Sequence, residues 1–304
     1  MQHTLAATVT FKGIGLHSGA PATMAIHPAA VDHGIVFQRA DIDGKPLIPV
    51  YGDYSKPTAL CTLLQKDDHV SVSTPEHVLS AMIALNIDNA LVTLNGPEVP
   101  LMDGSAIDFY KPFVNMGIVG QSKARKAHKI IQEIEINEGD KWVRLIPDDR
   151  RHFQMTIDFP HPMIGQQTFR FDLDHGDYER DVAPARTFGF TKDFEMLQTA
   201  GLIKGGSMDN AVVFEEASVA NPEGLRFADE PARHKLLDAI GDLALVGAPI
   251  IGRYEGYKAS HALNTKLVQA LLADRSQYEE VDFVVPSKKT GHSSSIMRDK
   301  LFSK

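Results

Sequence analysis

The stretch from Asp229 to Asp242, DEPARHKLLDAIGD, places the strongest constraint on how this chain folds. Pro231 suits the first turn of a helix, where its missing N–H costs nothing, and Asp229 or Glu230 is predicted to cap the helix just before it. Apolar residues then recur at helical spacing, so one side of this helix is expected to face a core. These residues are Leu236, Leu237, Ile240, Leu243 and Ala244. The helix is predicted to end at Gly247.

The polar side of the same helix carries metal-binding residue types. His234 and Asp238 stand at positions i and i+4 and therefore share one face, and Asp242 follows one turn later. An imidazole and a carboxylate that converge from one face form half of a typical zinc site. The same spacing also fits a solvated polar face, and this stretch alone leaves both readings open.

Composition limits the class of protein. With 304 residues, 43% of them hydrophobic, the chain has enough material for one large or two ordinary domains. A net charge of −8 excludes bulk attraction to nucleic acid or to anionic lipid. Cys61 is the single cysteine, so no internal disulfide forms. Neither a signal peptide nor an apolar run of about 20 residues is visible, and we expect a cytoplasmic protein without an integral membrane segment.

Strand and helix patterns alternate along the chain and predict an α+β fold. Strands are expected at 4–10, 22–27, 34–39, 47–51, 58–65, 88–95, 129–136, 141–146, 153–159, 167–171, 211–214 and 250–259, and helices at 75–85, 105–116, 193–200, 229–247 and 260–273. The basic stretch from Lys123 to Lys129 contains few apolar residues and is predicted to be a solvated linker, with a domain boundary near residue 125. Residues 286–304 are polar and basic, and we expect a flexible tail.

A glycine-rich stretch, Gly13 to Gly19, invites a dinucleotide-binding interpretation, which the sequence excludes. Its third glycine is one position too late, and strand-like alternation follows where a helix should begin. A glycine-rich loop between strands fits better. This loop either brings His17 to a ligand or is a plain turn.

A second helix start contributes chemistry from the first half of the chain. Thr74 is expected to cap it, Pro75 opens it, and Glu76 and His77 lie in its first turn. The positive helix end favours an ionised carboxylate there, so Glu76 is either a base or an ordinary first-turn acid. His77 is a candidate third zinc ligand, because a catalytic zinc takes three protein ligands and keeps one position open.

His261 is the candidate general acid. It lies at the start of the last predicted helix, where the positive helix end alone would keep its imidazole neutral. A carboxylate at Asp242 could offset this effect and keep His261 protonated.

Several motifs in family order resemble the UDP-3-O-acyl-N-acetylglucosamine deacetylases, zinc enzymes of lipid A biosynthesis. The motifs lie at Gly13–Gly19, Thr74–Val78, Glu98–Ser105, Ala185–Phe190, Gly224–Phe227, Arg233–Asp242 and Lys258–Asn264. The resemblance implies two domains of similar topology, 1–125 and 126–285, each with two helices packed on a small, mostly antiparallel sheet. The active site would lie at the interface between these domains.

The resemblance also implies roles for individual residues. His77, His234 and Asp238 would bind one zinc per chain, Glu76 would be the general base, and His261 the general acid oriented by Asp242. Thr187 would hydrogen-bond the oxyanion. Substrate contacts are implied for Lys235, Phe188, Phe190, Leu16, His17 and Gly206, with Lys141 near the nucleotide.

The implied reaction is hydrolysis of the N-acetyl group of UDP-3-O-acyl-N-acetylglucosamine to UDP-3-O-acyl-glucosamine and acetate. We expect a monomer whose partner is this small-molecule substrate and not a nucleic acid. The apolar residues between Phe188 and Met208 either form a tunnel for the acyl chain or belong to an ordinary core. Two other functions stay open: a binding module that has lost catalysis, and a deacetylase of another N-acyl sugar.

Overall fold

The structure is a computed structural model that describes residues 1–58 and 60–284. The predicted tail at 286–304 lies outside the described residues. Over the described part the chain is a mixed α+β protein, as the sequence predicts.

The described residues contain six α-helices: α1 (Glu76–Ala84), α2 (Ile107–Met116), α3 (Tyr178–Asp181), α4 (Thr191–Thr199), α5 (Glu230–Asp242) and α6 (His261–Ala273). The strands of the first half are β1 (His3–Leu5), β2 (Val9–Ile14), β3 (Pro21–Pro28), β4 (Ile35–Arg39), β5 (Leu47–Pro49), β6 (Ser55–Lys56), β7 (Leu63–Asp67), β8 (Val70–Ser73), β9 (Ala90–Leu94) and β10 (Ile118–Gly120). Those of the second half are β11 (Lys126–Ile130), β12 (Ile134–Glu138), β13 (Lys141–Ile146), β14 (Arg151–Phe159), β15 (Gly165–Asp172), β16 (Phe188–Phe190), β17 (Val212–Phe214), β18 (Ile250–Tyr257) and β19 (Tyr278–Asp282).

A five-stranded sheet with the order β2-β3-β9-β4-β5 forms the centre of the first half. All its pairings are antiparallel except that between β4 and β9. Alternate side chains of β3 are buried, as a half-buried strand requires, and Met24 and Ile26 are fully enclosed. Three further strands, β6-β7-β8, form a small antiparallel sheet that leads into α1.

A seven-stranded mixed sheet forms the centre of the second half. Its order is β12-β13-β18-β11-β19, and β14 joins β18 to β15. Helix α5 packs on β14 and β15, whereas α6 packs on β12 and β13. The apolar stripe predicted for the 229–247 region is buried in this way.

Helices α1 and α5 pack against each other and bring the two halves of the chain together. Their closest approach is at Gly241, where an added Cβ would lie 2.0 Å from the carbonyl oxygen of Glu76. Only a glycine permits this approach. The N-terminal turn of α1 is therefore fixed beside the polar face of α5, and this contact positions the candidate site.

Several predicted boundaries are wrong for identifiable reasons. The strands expected at 4–10 and 129–136 are each two strands separated by a bend, because a run of strand-forming residues does not reveal an internal break. The strand expected at 58–65 begins only at Leu63. Helix α5 ends at Asp242, and a 3₁₀ turn continues to Val246 before Gly247, whose φ is 78°.

Of the predicted helix caps, Asp229 does occupy the N-cap position of α5, but neither its side chain nor those of Thr74 and Glu230 make a capping hydrogen bond. Thr74 has a φ of 59°, and Pro75 occupies the N-cap position. Asp229 pairs with Arg233 instead. A distant residue, Arg186, binds the Glu230 carboxylate, whereas the Asp229 carboxylate pairs with a residue of its own helix.

The basic stretch is not a solvated linker. Arg125 is buried and donates to Asp88 and Asn86 at 2.5 and 2.6 Å, and β11 then pairs with both β18 and β19. Charge alone suggested exposure, whereas the half-buried carboxylate of Asp88 accommodates this arginine. Among the residues that the structure describes, no helix is long and apolar enough to cross a membrane.

Candidate metal centre and active site

Three side chains from α1 and α5 form a buried group suited to a metal ion. His77 extends from the first turn of α1, and His234 and Asp238 extend from one face of α5; one possible ligand atom from each lies within 4.8 Å of the others. Oδ1 of Asp238 lies 3.5 Å from Nε2 of His77 and 3.3 Å from Nε2 of His234. All three residues are at most 4% exposed. The group combines two nitrogen donors with one carboxylate, a set that zinc accepts in catalytic sites.

The hydrogen bonding and the protonation of these donor atoms are suited to binding a cation. Oδ1 of Asp238 is buried and has no hydrogen-bond partner among the described residues, which is costly for a carboxylate oxygen unless a cation binds it. Nδ1 of His234 lies 3.0 Å from the carbonyl oxygen of Ala185 and must donate to it, so the Nε2 lone pair points towards Asp238. Burial lowers the pKa of His234 to about 4, which keeps this imidazole neutral and able to bind metal.

Glu76 lies beside this group, almost completely buried. Its Oε2 accepts the backbone N–H of Thr62 at 3.1 Å, and its Oε1 lies 3.9 Å from Nε2 of His261. Burial raises the pKa of Glu76 to about 7, although His261 and His77 act against the shift. A carboxylate with a pKa near neutrality is suited to accepting a proton from water.

His261 and Asp242 form a buried pair on the other side of Glu76. Nδ1 of His261 lies 2.9 Å from Oδ2 of Asp242, and Nε2 points towards Glu76 and Asp238. Burial lowers the pKa of His261, but the carboxylates of Asp242 and, to a smaller extent, Glu76 raise it, and the pKa rises to about 9. A protonated imidazole with a free Nε2–H can deliver a proton into the site.

Lys235 contacts the same group. Its ammonium lies 2.8 Å from Oδ2 of Asp238, the oxygen that does not face His77 and His234. Burial lowers the pKa of Lys235, and the Asp238 carboxylate raises it further than burial lowers it. Lys235 is thus a cation at the edge of the metal centre.

Thr187 follows the segment that contacts His234. Its backbone N–H donates to Gly104 at 2.8 Å, and the ring of the next residue, Phe188, lies 6.4 Å from the ring of His234. The segment is tied to α5 by Arg186, whose Nε lies 2.9 Å from Oε1 of Glu230. Thr187 and Phe188 therefore lie on the His234 side of the site.

The glycine-rich loop lies between β2 and β3, as predicted. Glu98 fixes it by accepting the N–H groups of His17 and Ser18 at 2.7 and 2.9 Å. The carbonyl oxygen of Leu16 accepts the N–H of Gly205 at 2.9 Å, which places Leu16 beside Gly206. Leu16, His17 and Gly206 are thus brought together.

His17 has an unusual environment. Both of its ring nitrogens are buried and have no hydrogen-bond partner in the described part of the chain. Burial lowers the pKa of His17, and nearby His261 lowers it further against the effect of Glu98. Its imidazole is therefore neutral and free to bond a ligand.

Phe188 and Phe190 belong to an aromatic cluster next to the site. Phe188 lies 5.5 Å from Phe159 and 6.1 Å from Phe214, measured between ring centroids, and Phe190 contacts the same two rings. Beyond the cluster, none of the residues of α4 is buried. Exposed fractions of 43% for Phe194 and 64% for Met196 exclude an ordinary core for this segment.

Lys141 is not among the residues brought together at the metal group. It is exposed at the start of β13, beside Asp140, whose carboxylate pairs with Lys258 at 2.8 Å.

Sequence reasoning did not assign roles to several residues that support the site. Glu98 and Asn264 lie within the motifs at Glu98–Ser105 and Lys258–Asn264, and these motifs could have indicated that both residues support the site. Thr62 carries no such signal, whereas Ala185 begins the motif at Ala185–Phe190 but contributes a backbone carbonyl that a side-chain pattern does not reveal.

A buried His–His–Asp group with an adjacent carboxylate and a His–Asp pair is typical of metal-dependent hydrolases. A sequence model of the UDP-3-O-acyl N-acetylglycosamine deacetylase (LpxC) family matches residues 2–273. The chain belongs to this family.

Curated relatives cover nearly the whole chain. The UDP-3-O-acyl-N-acetylglucosamine deacetylase of Anaeromyxobacter sp. (strain Fw109-5) is 46% identical over 292 residues, which is 95% of both chains. The enzyme of that name from Myxococcus xanthus (strain DK1622) is 44% identical, covering 95% of this chain and 90% of the relative. That from Neisseria meningitidis serogroup A is 43% identical over 93% of this chain and 94% of its own length.

Proposed function

We propose that this protein hydrolyses the N-acetyl group of UDP-3-O-acyl-N-acetylglucosamine and releases acetate, a step of lipid A biosynthesis. Family membership supports the substrate and the reaction. The observation that carries the chemistry is the buried group of His77, His234 and Asp238 with Glu76 and His261 directly beside it.

We propose zinc as the metal, bound by His77, His234 and Asp238, with one ion per chain. The buried, unpartnered Oδ1 of Asp238 and the neutral imidazole of His234 support this assignment. When bound, zinc supplies a Lewis acid that polarises the amide carbonyl and lowers the pKa of water. The remaining chemistry depends on protons that the chain itself holds.

Glu76 and His261 divide the proton transfers. Amide hydrolysis adds water to the carbonyl carbon and breaks the C–N bond, so one proton must leave the water and one must reach the amine. Glu76, whose pKa is about 7, accepts the first on its carboxylate. His261, protonated through its contact with Asp242, donates the second from Nε2.

The remaining assignments concern the substrate. The Thr187 hydroxyl is proposed to stabilise the oxyanion. Lys235 and Lys141 offer positive charge to the diphosphate, while Phe188 and Phe190 offer apolar surface to the sugar and acyl chain. Leu16, His17 and Gly206 are proposed to close over the substrate from the loops that contact each other.

We also propose that 1–125 and 126–285 are separate domains with the site between them. The five-stranded sheet and the seven-stranded sheet support this division, since each draws its strands from one side of the boundary. A monomeric state and a cytoplasmic location remain predictions.

Release of acetate tests the function. Purified protein should release acetate from the 3-O-acylated UDP sugar, lose this activity with a chelator and regain it with zinc. UDP-N-acetylglucosamine without the acyl chain is the matched substrate control and should react far more slowly. Tight binding of the acylated substrate without acetate release would instead indicate a binding module, and equal rates on both substrates would indicate a deacetylase of other N-acyl sugars.

A further inference from the structure

Thr62 directs its backbone N–H and its hydroxyl into the site, although it lies outside the motifs described above. Its backbone N–H donates to Oε2 of Glu76 at 3.1 Å, and its carbonyl oxygen accepts the N–H of Thr74 at 3.0 Å. Its hydroxyl donates to Oδ1 of Asp242. The residue is 1% exposed, so water does not compete for these bonds.

The hydroxyl completes the set of donors around Asp242. Oδ2 of Asp242 accepts from Nδ2 of Asn264 at 2.7 Å and from Nδ1 of His261 at 2.9 Å, whereas Oδ1 accepts from the Thr62 hydroxyl and lies 3.2 Å from the same His261 nitrogen. Asn264 is itself fixed by the hydroxyl of Tyr254 at 2.7 Å. With both oxygens bonded, the carboxylate plane cannot rotate, and the imidazole it contacts has one orientation.

Thr62 also joins parts of the chain that are remote in sequence. It precedes β7 in the first half, whereas Asp242 ends α5 in the second, 180 positions later. One residue therefore contacts both the candidate base, through its N–H, and the partner of the candidate acid, through its hydroxyl. Buried hydroxyl-to-carboxylate bonds are charge-assisted and strong, so this contact fixes the relative position of the two groups.

We propose that Thr62 is a positioning residue of the active site: its hydroxyl holds the Asp242 carboxylate in the orientation that aims Nε2 of His261 at the reacting amide. The proposal rests on the proposed function, because it assigns a role within that reaction. The role is assigned through Asp242, which is the closer partner of the Thr62 hydroxyl, since Nδ1 of His261 lies 3.4 Å from that hydroxyl.

Thr62→Val tests this role, since valine keeps the side-chain shape and the N–H to Glu76 but removes the hydroxyl. With zinc-loaded enzyme and the acylated UDP sugar, kcat is expected to fall about 10- to 100-fold while KM stays unchanged, since only proton delivery is impaired. Thr62→Ser retains the hydroxyl and should restore most of kcat. If the valine variant yields too little folded protein, Thr62→Ala takes its place.

Thr4→Val is the matched control. Thr4 is also buried; its hydroxyl donates to the carbonyl oxygen of Asn89 at 2.7 Å and accepts the N–H of Ala29 at 3.0 Å, and neither partner is a site residue. The Thr4→Val variant should have a lower free energy of unfolding than the wild type but the same kcat per folded molecule. A kcat loss of equal size in Thr4→Val would mean that the effect of Thr62→Val is merely structural and would overturn the proposal.

A double variant isolates the path through Asp242. If the hydroxyl acts through this carboxylate, Thr62→Val should add little to the kcat loss of Asp242→Ala. The assignment would be overturned if the kcat losses of Thr62→Val and Asp242→Ala multiplied fully in the double variant. It would also be overturned if kcat were unchanged in Thr62→Val, or if Thr62→Ser were as slow as Thr62→Val. Failure of the proposed function would look different, because the wild-type protein itself would release no acetate.

Discussion

Oδ2 of Asp242 lies 2.9 Å from Nδ1 of His261, and both residues are at least 95% buried. The pair has no access to bulk water, so the imidazole charge is set by the carboxylate. Burial alone would lower the pKa of His261, yet with Asp242 the pKa rises to about 9. His261 is therefore an imidazolium at neutral pH.

The pH profile of kcat/KM should reflect the ionisation of Glu76 and of His261. Activity should rise as Glu76, with a pKa of about 7, loses its proton and should fall as His261, with a pKa of about 9, loses its own. A bound divalent cation lowers both values, so each limb of the zinc-loaded enzyme should lie below these values. The measurement is kcat/KM from pH 5 to 10 in wild type and His261→Ala.

The His261→Ala variant shows which limb of the pH profile depends on His261. His261→Ala should keep the acidic limb and lose or displace the basic limb, because only the donor has been removed. An unchanged basic limb in the variant would show that another group is the acid.

Glu76→Gln should separate metal binding from proton transfer. The amide keeps the size of the side chain but cannot accept the proton, so kcat should fall about 10²- to 10⁴-fold while zinc content stays at one per chain. His234→Ala, by contrast, should lose tight zinc. Elemental analysis and acetate release measure both effects. Wild-type turnover in Glu76→Gln, or undiminished zinc in His234→Ala, would refute the corresponding assignment.

The sequence predicted those parts of the site that follow from helix periodicity and helix starts. His234 and Asp238 share a face because they are four residues apart, and His77 and His261 lie in first turns because a proline or a serine precedes a helical pattern. The resemblance to a family then implied that these separate pieces form one site. Local pattern alone could not show that α1 and α5 meet.

Interactions between residues that are distant along the chain could not be predicted from the sequence. Arg125 was expected in a linker because its charge partner, Asp88, is 37 positions away. Thr74 was expected to cap α1, but its positive φ follows from its tertiary surroundings, among them the N–H bond to Thr62. Both residues depend on contacts that exist only after the fold has formed.

Glu230→Ala should strongly destabilise the protein. Glu230 is fully buried and accepts Nε and the backbone N–H of Arg186 at 2.9 and 3.0 Å, so its removal breaks a buried ion pair and leaves the exposed Glu223 as the remaining charge partner of Arg186. The expected loss is about 3–5 kcal/mol in the free energy of unfolding, measured with urea. Exposed Glu216 is the control, and Glu216→Ala should change stability by less than about 0.5 kcal/mol. Equal, small effects in both variants would contradict the importance of the buried pair.

The metal-free protein should lose a His234-dependent part of its stability in acid. The pKa of His234 is about 4 in the folded state and about 6.5 in the unfolded state, so the unfolded state binds more protons below pH 6.5. His234 therefore makes its full contribution to the free energy of unfolding above pH 6.5. This contribution is lost as the pH falls towards 4, and the total loss is about 3 kcal/mol.

Comparison with His234→Gln isolates this contribution. Glu76 acts in the opposite direction, because its raised pKa makes the folded state bind more protons between pH 4.5 and 7. Urea unfolding of both chelated proteins from pH 7.5 to 4 should show a steeper fall in acid for wild type. Parallel curves would mean that His234 is not buried as a neutral imidazole.

Gly15→Ala should disturb the loop that carries His17. A Cβ at residue 15 would lie 2.1 Å from Oε2 of Glu98, the carboxylate that accepts the N–H groups of His17 and Ser18. Glu98 is itself buried, so it cannot move aside without losing these bonds. We expect a loss of about 1–3 kcal/mol in the free energy of unfolding and a raised KM for the acylated UDP sugar. Gly96→Ala is the matched control, because an added Cβ there meets nothing within 4 Å, and it should change neither quantity. A KM for Gly15→Ala equal to that of Gly96→Ala would show that the loop does not contact the substrate.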